Sequence, residues 1–225
     1  MKRKLLSLLL VLAMVITLFP VAAFASDDQV VSGTTLGDLK YEIMEDGYAR
    51  VAGIAQPGVR EIEIPETIGD GIPVTAIKDR AFKNVGLTSV TISESVIEIG
   101  EEAFMDCTDL KEVNFAGSTA YLGERAFKNC TGLTEMYVPN SGILYDGTFA
   151  GCTKLAGVAL EYGNMYVEEG AFTGCTSLEY IYLPASIEQI YTKDFKGLKD
   201  VVVGGLKNSV AERFATQMGF EFEAE

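Results

Sequence analysis

Phenylalanine recurs along this chain at an almost constant interval, and no other sequence feature restricts the possible folds as strongly. Successive phenylalanines in six units are 22 or 23 residues apart, and an aliphatic residue stands five positions before each one. A period of about 20 to 30 residues that holds at several positions at once is typical of stacked repeat units. The sequence therefore predicts a solenoid. The six phenylalanines are Phe82, Phe104, Phe127, Phe149, Phe172 and Phe195.

Each unit combines two local patterns. In one unit Met136 and Val138 alternate with Glu135 and Tyr137, and this period of two predicts a short β-strand with one buried face. Around the phenylalanine, as in residues 100–107, apolar residues are about three apart, which predicts a single helical or 3₁₀ turn. Because one unit cannot bury its own apolar face, we expect the units to stack with their strands about 4.8 Å apart in a parallel sheet.

The first 25 residues have the pattern of an export signal. Lys2, Arg3 and Lys4 precede an apolar run at 5–18, and Ala23-Phe24-Ala25 offers a small-x-small cleavage site. An uncleaved membrane anchor is the alternative, but the run is short of the ~20 residues that span a bilayer. We therefore expect cleavage after Ala25 and a secreted, extracellular protein, either free or associated with the cell surface.

The N-terminal end of the array departs from the repeat, as a capping segment must. Residues 41–43 and 49–51, joined through Asp46-Gly47, predict a hairpin that covers the first unit. Residues 62–64 then predict the first strand of the array. Asp70-Gly71 predicts a second small hairpin.

The C-terminal end also predicts a cap. Ser209 is placed to accept the first hydrogen bonds of a helix that runs to Met218, and Val210, Phe214 and Met218 share one face of it. We therefore divide the chain into five parts: a signal peptide at 1–25, a flexible leader at 26–35, N-terminal capping hairpins and a first strand at 36–76, the repeat array at 77–203 and a C-terminal cap at 204–225.

Several short motifs resemble a known family. Units such as 103–110 share the pattern Ala-Phe-x-x-Cys-x-x-Leu, and prolines follow the strands at Ile64-Pro65 and Leu183-Pro184. In these features the chain resembles the bacterial BspA-type leucine-rich repeat, and its ending at 207–215 is similar to the cap that commonly closes such arrays. The resemblance covers residues 36–225. It implies an α/β solenoid with short parallel strands and short helical or 3₁₀ turns, in a secreted or surface protein; some family members are adhesins for host matrix proteins.

The charge of the chain excludes two classes of partner. There are 32 acidic residues against 18 basic ones, a net charge of −14, and loss of residues 1–25 with their three basic residues takes it to −17. Such a surface repels phosphate backbones and anionic lipid headgroups, so neither nucleic acid nor membrane insertion is expected. A basic protein patch, a cation or a neutral glycan is compatible with this charge.

Four cysteines occupy one position of successive units, three residues after the phenylalanine. We expect them to stack as buried free thiols, because parallel side-chain vectors on adjacent rungs fit disulfide geometry poorly. A disulfide, or a reactive or metal-binding thiol, is the alternative, and the sequence does not fix the redox state. The chain has no histidine, which removes the usual triads and the commonest metal ligand, so no catalytic residue, metal site or cofactor is predicted. The cysteines are Cys107, Cys130, Cys152 and Cys175.

Carboxylates recur with the units too. Glu101-Glu102, Glu124 and Glu168-Glu169 precede three of the repeat phenylalanines. We interpret them as a solvated acidic edge at the start of each helical turn, where the dipole favours negative charge. The alternative is an acid and base pair for glycoside hydrolysis, but nothing distinguishes one pair from the others. The sequence therefore does not predict an enzyme.

The outward side chains of the strands vary from unit to unit, which makes them the candidate binding residues. They alternate with the buried residues and so lie on the outer face of the sheet, and solenoid curvature commonly makes such a row a continuous surface. Tyrosines are frequent interface anchors, although they are also ordinary strand residues. The predicted acidic and aromatic patch consists of Glu112, Asn114, Glu135, Tyr137, Tyr180 and Tyr182.

These observations favour a non-enzymatic, secreted protein that binds a protein or a glycan, for example a host matrix protein, through the face of its sheet. The alternative is a structural role, as a spacer or a subunit of a cell-surface assembly. A hydrolase is a third hypothesis, but it lacks a recognisable catalytic constellation. The sequence does not define the ligand, the mode of attachment or the oligomeric state.

Overall fold

The structure, a computed structural model, describes residues 30–225. The predicted signal peptide at 1–25 and the start of the predicted leader lie outside the described residues. One α-helix in the described region, α1, spans Val210–Met218. In chain order the strands are β1 (Val30–Leu36), β2 (Leu39–Met44), β3 (Ala49–Ile54), β4 (Glu61–Ile64), β5 (Thr67–Ile68), β6 (Ile72–Ile77), β7 (Ser89–Ile92), β8 (Glu98–Ile99), β9 (Glu112–Phe115), β10 (Tyr121–Leu122), β11 (Glu135–Val138), β12 (Ile143–Leu144), β13 (Gly157–Leu160), β14 (Tyr166–Val167), β15 (Tyr180–Tyr182), β16 (Gln189–Ile190), β17 (Val202–Gly205) and β18 (Glu221–Ala224).

Most repeat units contribute one strand to each of two parallel ladders. The longer strands form one side of the solenoid, as the sheet β4-β7-β9 followed by the sheet β11-β13-β15-β17-β18. The second side begins with the end of the six-residue strand β6 and continues through two-residue strands, so that β6, β8 and β10 are followed by β12, β14 and β16. The chain is therefore a parallel β-solenoid, which confirms the predicted stack of parallel strands. The second ladder was not predicted, because a two-residue strand is too short to show alternation.

The third side of each unit holds the phenylalanine and consists of turns, with little helix. A 3₁₀ turn at Lys193–Phe195 is the one helical segment on this side within residues 30–225. Five of the six units contain two residues with positive φ, such as Glu102 (55°) and Asp106 (62°), and this backbone geometry interrupts a helix. The second of these positions is filled by the residues that adopt positive φ most easily, in chain order Asn84, Asp106, Asn129, Gly151, Gly174 and Gly197.

The repeat phenylalanines form a continuous stack through the core. Each is at most 1% exposed, and the ring centroids of neighbours are 5.1 to 5.7 Å apart. Main-chain hydrogen bonds tie the same turns together, for example from Phe104 N to Ala126 O at 2.8 Å. Full burial of one such side chain contributes about 1.5 to 3 kcal/mol, so the stack is a principal source of stability.

The cysteines form a second buried ladder beside the phenylalanines. All four are free and buried, as the repeat predicted. Each thiol donates to the carbonyl of a phenylalanine in a preceding unit, as Cys107 Sγ does to Phe82 O at 3.0 Å and Cys130 Sγ to Phe104 O at 3.2 Å. Burial raises the pKa of Cys107 and of Cys152 to about 12. The thiols therefore act as small packing groups that also satisfy a backbone carbonyl.

The N-terminal cap contains both predicted hairpins. Strands β2 and β3 pair antiparallel, β5 pairs antiparallel with β6, and β3 joins the array by parallel pairing with β6. Residues 30–35 differ from the predicted flexible leader, since they belong to β1, which pairs antiparallel with β2. The physical reason is local: β2 offers an open edge, and the uncharged, β-branched residues of β1 suit a strand.

The C-terminal cap begins with the predicted helix. The hydroxyl of Ser209 accepts a hydrogen bond from Ala211 N, and α1 ends at Gly219, whose φ is 73°. Phe214 extends the aromatic stack, with its ring centroid 5.0 Å from that of Phe195, and Phe220 follows at 6.0 Å from Phe214. The chain then forms β18, which was not predicted and which pairs in parallel with β17. Within residues 30–225 no helix has the length and apolar character needed to cross a membrane.

Candidate binding face

Four of the six predicted binding residues lie on two strands, β11 and β15, that flank the same strand, β13. Strand register places Glu135, Gly157 and Tyr180 in one row across β11, β13 and β15. Tyr137, Ala159 and Tyr182 form the next outward row. We call this surface the trough; its members are Glu135, Tyr137, Gly157, Ala159, Tyr180 and Tyr182.

The trough owes its shape to side-chain size. Gly157 and Ala159 on the middle strand carry almost no side chain, whereas larger residues stand on both flanking strands. Since adjacent strands are about 4.8 Å apart, the two walls lie about 10 Å from each other. Tyr137 is 41% exposed and Glu135 is exposed as well, so one wall is open to solvent. A chain of small cross-section fits such a surface better than a bulky one.

The opposite wall is held in place by the C-terminal cap. Tyr182 lies beside Gly204 of β17, and its hydroxyl donates to Glu225 Oε1 at 2.7 Å. Burial and this carboxylate raise the pKa of Tyr182 well above its ordinary value. Burial, followed by the charges of Glu223 and Glu225, also raises the pKa of Tyr180. Both phenols therefore stay neutral at physiological pH, and both are half-buried.

The other two predicted residues lie outside the trough. Glu112 and Asn114 are exposed on β9, and Asn114 Nδ2 donates to Glu112 Oε1 at 3.0 Å. Strand β9 contacts β11 but belongs to a different sheet, so the ladder is interrupted between them. The expected continuous row is thus divided, and the trough is its aromatic part.

The strands around the trough carry charge of one sign. The six strands β9, β11, β13, β15, β17 and β18 contain four glutamates and neither lysine nor arginine. The glutamates are Glu112, Glu135, Glu221 and Glu223. A ligand with a cationic group, or with hydroxyls that donate to carboxylates, is compatible with this negative electrostatic potential.

A second exposed aromatic surface was not predicted from the sequence. It lies on the ladder of two-residue strands, and we call it the short-strand face. Met165, Tyr166 and Tyr191 are 38%, 36% and 44% exposed, and Tyr166 Oη donates to Glu188 Oε2 at 2.5 Å. The sequence did contain a signal for this face: a tyrosine or isoleucine stands directly before or after the aliphatic residue that lies five positions before the phenylalanine in several units. The face consists of Tyr121, Ile143, Tyr145, Met165, Tyr166 and Tyr191.

The predicted acidic edge is only partly solvated. Glu102 is buried, because it accepts hydrogen bonds from Arg80 Nε and Lys83 Nζ of the preceding unit, both at 2.8 Å. The bonds from Lys83 and Arg80 lower the pKa of Glu102 to about 2. Glu102 therefore joins two repeat units, and the helix-dipole explanation does not apply, since no helix begins there. In the described part of the chain, no three acidic or cysteine side chains are grouped so as to hold a metal ion.

A parallel solenoid with a phenylalanine stack inside and variable side chains on its outer ladders defines a class of bacterial repeat scaffolds. The family model of the BspA type leucine rich repeat region matches residues 75–201 in six copies, which is more than half of the chain. The chain belongs to this family, as its motifs implied.

Solved structures of other bacterial leucine-rich repeat proteins have a similar fold. The chain is 23% identical to the T. pallidum leucine rich repeat protein, with a TM-score of 0.68 over 86% of this chain and 100% of that one. It is 28% identical to a leucine rich cell surface protein of Faecalibacterium prausnitzii, with a TM-score of 0.58 over 79% and 55% of the two chains. The pneumococcal vaccine antigen PcpA gives 21% identity and a TM-score of 0.63 over 80% and 51%. No curated protein matches the chain.

Proposed function

We propose that this protein is a secreted, non-enzymatic binding protein that presents the trough to a protein or glycan ligand outside the cell. The observation that carries the proposal is the register of β11, β13 and β15, which sets tyrosines on both sides of a floor made of Gly157 and Ala159. Glu135 and Tyr137 are exposed and the two tyrosines of β15 are half-buried. None of these side chains is needed in the core, where the phenylalanine and cysteine ladders already fill the interior.

The wall formed by β15 supports binding because it is ordered before the ligand arrives. Tyrosine offers a large contact area with few rotatable bonds, so little conformational entropy is lost when it is covered. The hydrogen bond from Tyr182 to Glu225 fixes the orientation of one ring further. Pre-organisation of this kind raises affinity by lowering the entropic cost of association.

The chemistry of the trough defines the ligand class. Tyrosine rings pack on apolar faces of sugars or side chains, and they attract cations through the ring face. Glu135 adds an exposed acceptor beside Tyr137. A glycan, or a peptide segment with lysine or arginine, can interact with both the tyrosine rings and the Glu135 carboxylate. An anionic ligand would be repelled by the carboxylates of β11 and β18.

The proposed location outside the cell rests on two observations. One is the export pattern of residues 1–25. The other is that a family relative of 28% identity is described as a leucine rich cell surface protein. The non-enzymatic assignment rests on the absence of histidine from the sequence and on the repetition of the carboxylates, which follows from the repeat itself.

The experiment is a pull-down with residues 26–225 against host matrix proteins, bacterial surface extracts and a glycan panel. A variant with Glu135→Ala, Tyr137→Ala, Tyr180→Ala and Tyr182→Ala tests the trough, and Tyr166→Ala with Tyr191→Ala on the short-strand face is the control. We expect the first variant to lose the captured ligand and the control to retain it. Capture that survives in the first variant contradicts the proposal, as does turnover of a panel member by the purified protein.

A further inference from the structure

Strand β18 ends the sheet β11-β13-β15-β17-β18, and no other strand of residues 30–225 pairs with its outer edge. The amide of Glu221 donates to Val201 O at 3.1 Å, so Glu221 and, two residues on, Glu223 direct their backbone groups toward β17. Backbone groups alternate in direction along a strand, so the N–H and C=O groups of Phe222 and Ala224 point to the outer edge. This edge is therefore able to pair with a further strand.

The side chains of β18 differ between the two faces of the sheet. Glu221 and Glu223 are exposed on the outer face, and in the described part of the chain neither carboxylate has a hydrogen-bond or ion-pair partner. On the inner face Phe222 is half-buried against the core and Ala224 is exposed. A strand that joins this edge therefore meets two free carboxylates on one face and apolar side chains on the other.

We propose that this edge binds an extended peptide in which lysine or arginine alternates with apolar residues. The peptide adds as a strand beside β18, with main-chain hydrogen bonds to Phe222 and Ala224. Its basic side chains then lie next to Glu221 and Glu223, and its apolar side chains continue the inner face beyond Phe222. Cross-strand pairs of opposite charge and pairs of apolar residues both stabilise a sheet, so the alternation of β18 selects the matching alternation in its partner.

Charge disfavours the other strands that could occupy the edge. Strand β18 of a second copy, paired edge to edge with the same face outward, places glutamates beside Glu221 and Glu223, and like charges on neighbouring strands are destabilising. An acidic peptide meets the same repulsion, which the net charge of −14 on the whole chain reinforces. An uncharged strand leaves both carboxylates without a counter-charge. A strand with alternate basic residues gains favourable contacts on both faces of β18.

The edge is separate from the trough. Strand β17 lies between β15 and β18, so a peptide beside β18 is three strand spacings, about 14 Å, from β15. The proposal therefore does not depend on the proposed function, and the residues that respond to a ligand distinguish the two sites.

The test is a titration of residues 26–225, isotope-labelled for NMR, with the end-blocked peptide Lys-Val-Lys-Val-Lys. We expect the amide resonances of Phe222 and Ala224 to shift, and the dissociation constant to rise with salt. The peptide Glu-Val-Glu-Val-Glu is expected not to bind. A basic peptide that is N-methylated at every residue keeps its charge but loses its main-chain donors, so its affinity is expected to fall at least about tenfold.

Two double variants separate the edge from general charge attraction. Glu221→Lys with Glu223→Lys is expected to lose the basic peptide and to bind the acidic one, because the cross-strand charges are then reversed. The control is Glu66→Lys with Glu94→Lys, which makes the same change in net charge at two exposed residues outside the strands. Since salt screens distant charges, the control is expected to lower the affinity less than about twofold.

The proposal is overturned if the two edge amides do not shift, if the N-methylated peptide binds equally well, or if both double variants lose the peptide alike. A doubled molar mass without peptide, abolished by the double variant at the edge, also overturns it, since the edge then belongs to a second copy. Loss of the peptide in Tyr137→Ala with Tyr180→Ala would place it in the trough, which refutes the edge site and supports the proposed function.

Discussion

The hydroxyl of Tyr180 lies over Gly204, in the space that a side chain at position 204 would occupy. A Cβ on Gly204 would overlap this hydroxyl and would lie 3.1 Å from Cδ2 of Tyr182. The absence of a side chain at position 204 therefore leaves room for both tyrosines to extend over β17, on the side of the C-terminal cap. The position of this wall depends on a glycine that no ligand needs to touch.

Gly204→Ala is expected to displace the wall without unfolding the protein. The atoms in conflict are the ends of movable tyrosine side chains, so the rings shift and the bond from Tyr182 to Glu225 weakens. We expect the free energy of unfolding to fall by about 1 kcal/mol, and ligand affinity to fall several-fold. Chemical denaturation and titration of the captured ligand measure the two effects. Unchanged affinity would mean that the orientation of these rings is irrelevant to binding.

Phe127→Ala is expected to be strongly destabilising. Phe127 is fully buried between Phe104 and Phe149, with centroid distances of 5.1 and 5.7 Å. Removing a buried phenylalanine costs about 3 to 5 kcal/mol, because a cavity is left behind. Urea denaturation followed by circular dichroism gives the value, with Tyr191→Ala as an exposed control expected within about 0.5 kcal/mol of wild type. A loss below about 1 kcal/mol for Phe127→Ala would argue against the stack as the stabilising core.

The cluster at Glu102 predicts a specific loss of stability in acid. Hydrogen bonds from Lys83 and Arg80 lower the pKa of Glu102 from 4.5 in the unfolded chain to about 2 in the folded one. A depressed folded pKa means that the stabilisation is complete at neutral pH and is lost as pH falls from about 4.5 to about 2.

Glu102→Gln is expected to reduce stability at pH 7 by about 1 kcal/mol, a modest value because the partner side chains stay in contact with solvent. Near pH 2 the variant and wild type are expected to be equally stable. The measurement is the denaturation midpoint of both proteins from pH 7 to pH 2. A constant difference across that range would show that Glu102 acts through packing and not through its charge.

The cysteine ladder is expected to be unreactive in the folded protein. Burial raises the pKa of each thiol far above neutrality, so the reactive thiolate is scarce and shielded. Alkylation without reductant is expected to label no thiol in native buffer and four after denaturation. Mass spectrometry counts the labels. Fewer than four labels in the denatured chain would indicate a disulfide, and labelling of the native chain would indicate an exposed cysteine.

The sequence predicted the parts of the fold that repeat. The period of the phenylalanines and the alternation around Met136 determine which residues are buried, and capping chemistry at Ser209 located the helix α1. These predictions succeeded because each depends on local pattern and on burial shared by every unit. Family membership followed from the same repeated positions.

The parts that could not be predicted depend on contacts between units. The short strands carry only two residues each, and β18 pairs with β17 across the length of α1. Burial of Glu102 requires Arg80 and Lys83, which lie 22 and 19 residues away in the chain. In the candidate site the sequence identified the outward tyrosines, but the break between β9 and β11 and the lean of Tyr180 over Gly204 are properties of the packed solenoid.

The most direct test of the binding proposal compares two single variants of similar chemistry on different faces. Tyr182 forms the ordered wall of the trough, whereas Tyr191 lies on the short-strand face. The measurement is calorimetric titration of the captured ligand into wild type, Tyr182→Ala and Tyr191→Ala. We predict that Tyr182→Ala weakens affinity at least about tenfold and that Tyr191→Ala changes it less than about twofold. The reverse order, or two variants that both bind like wild type, would contradict the trough as the binding site.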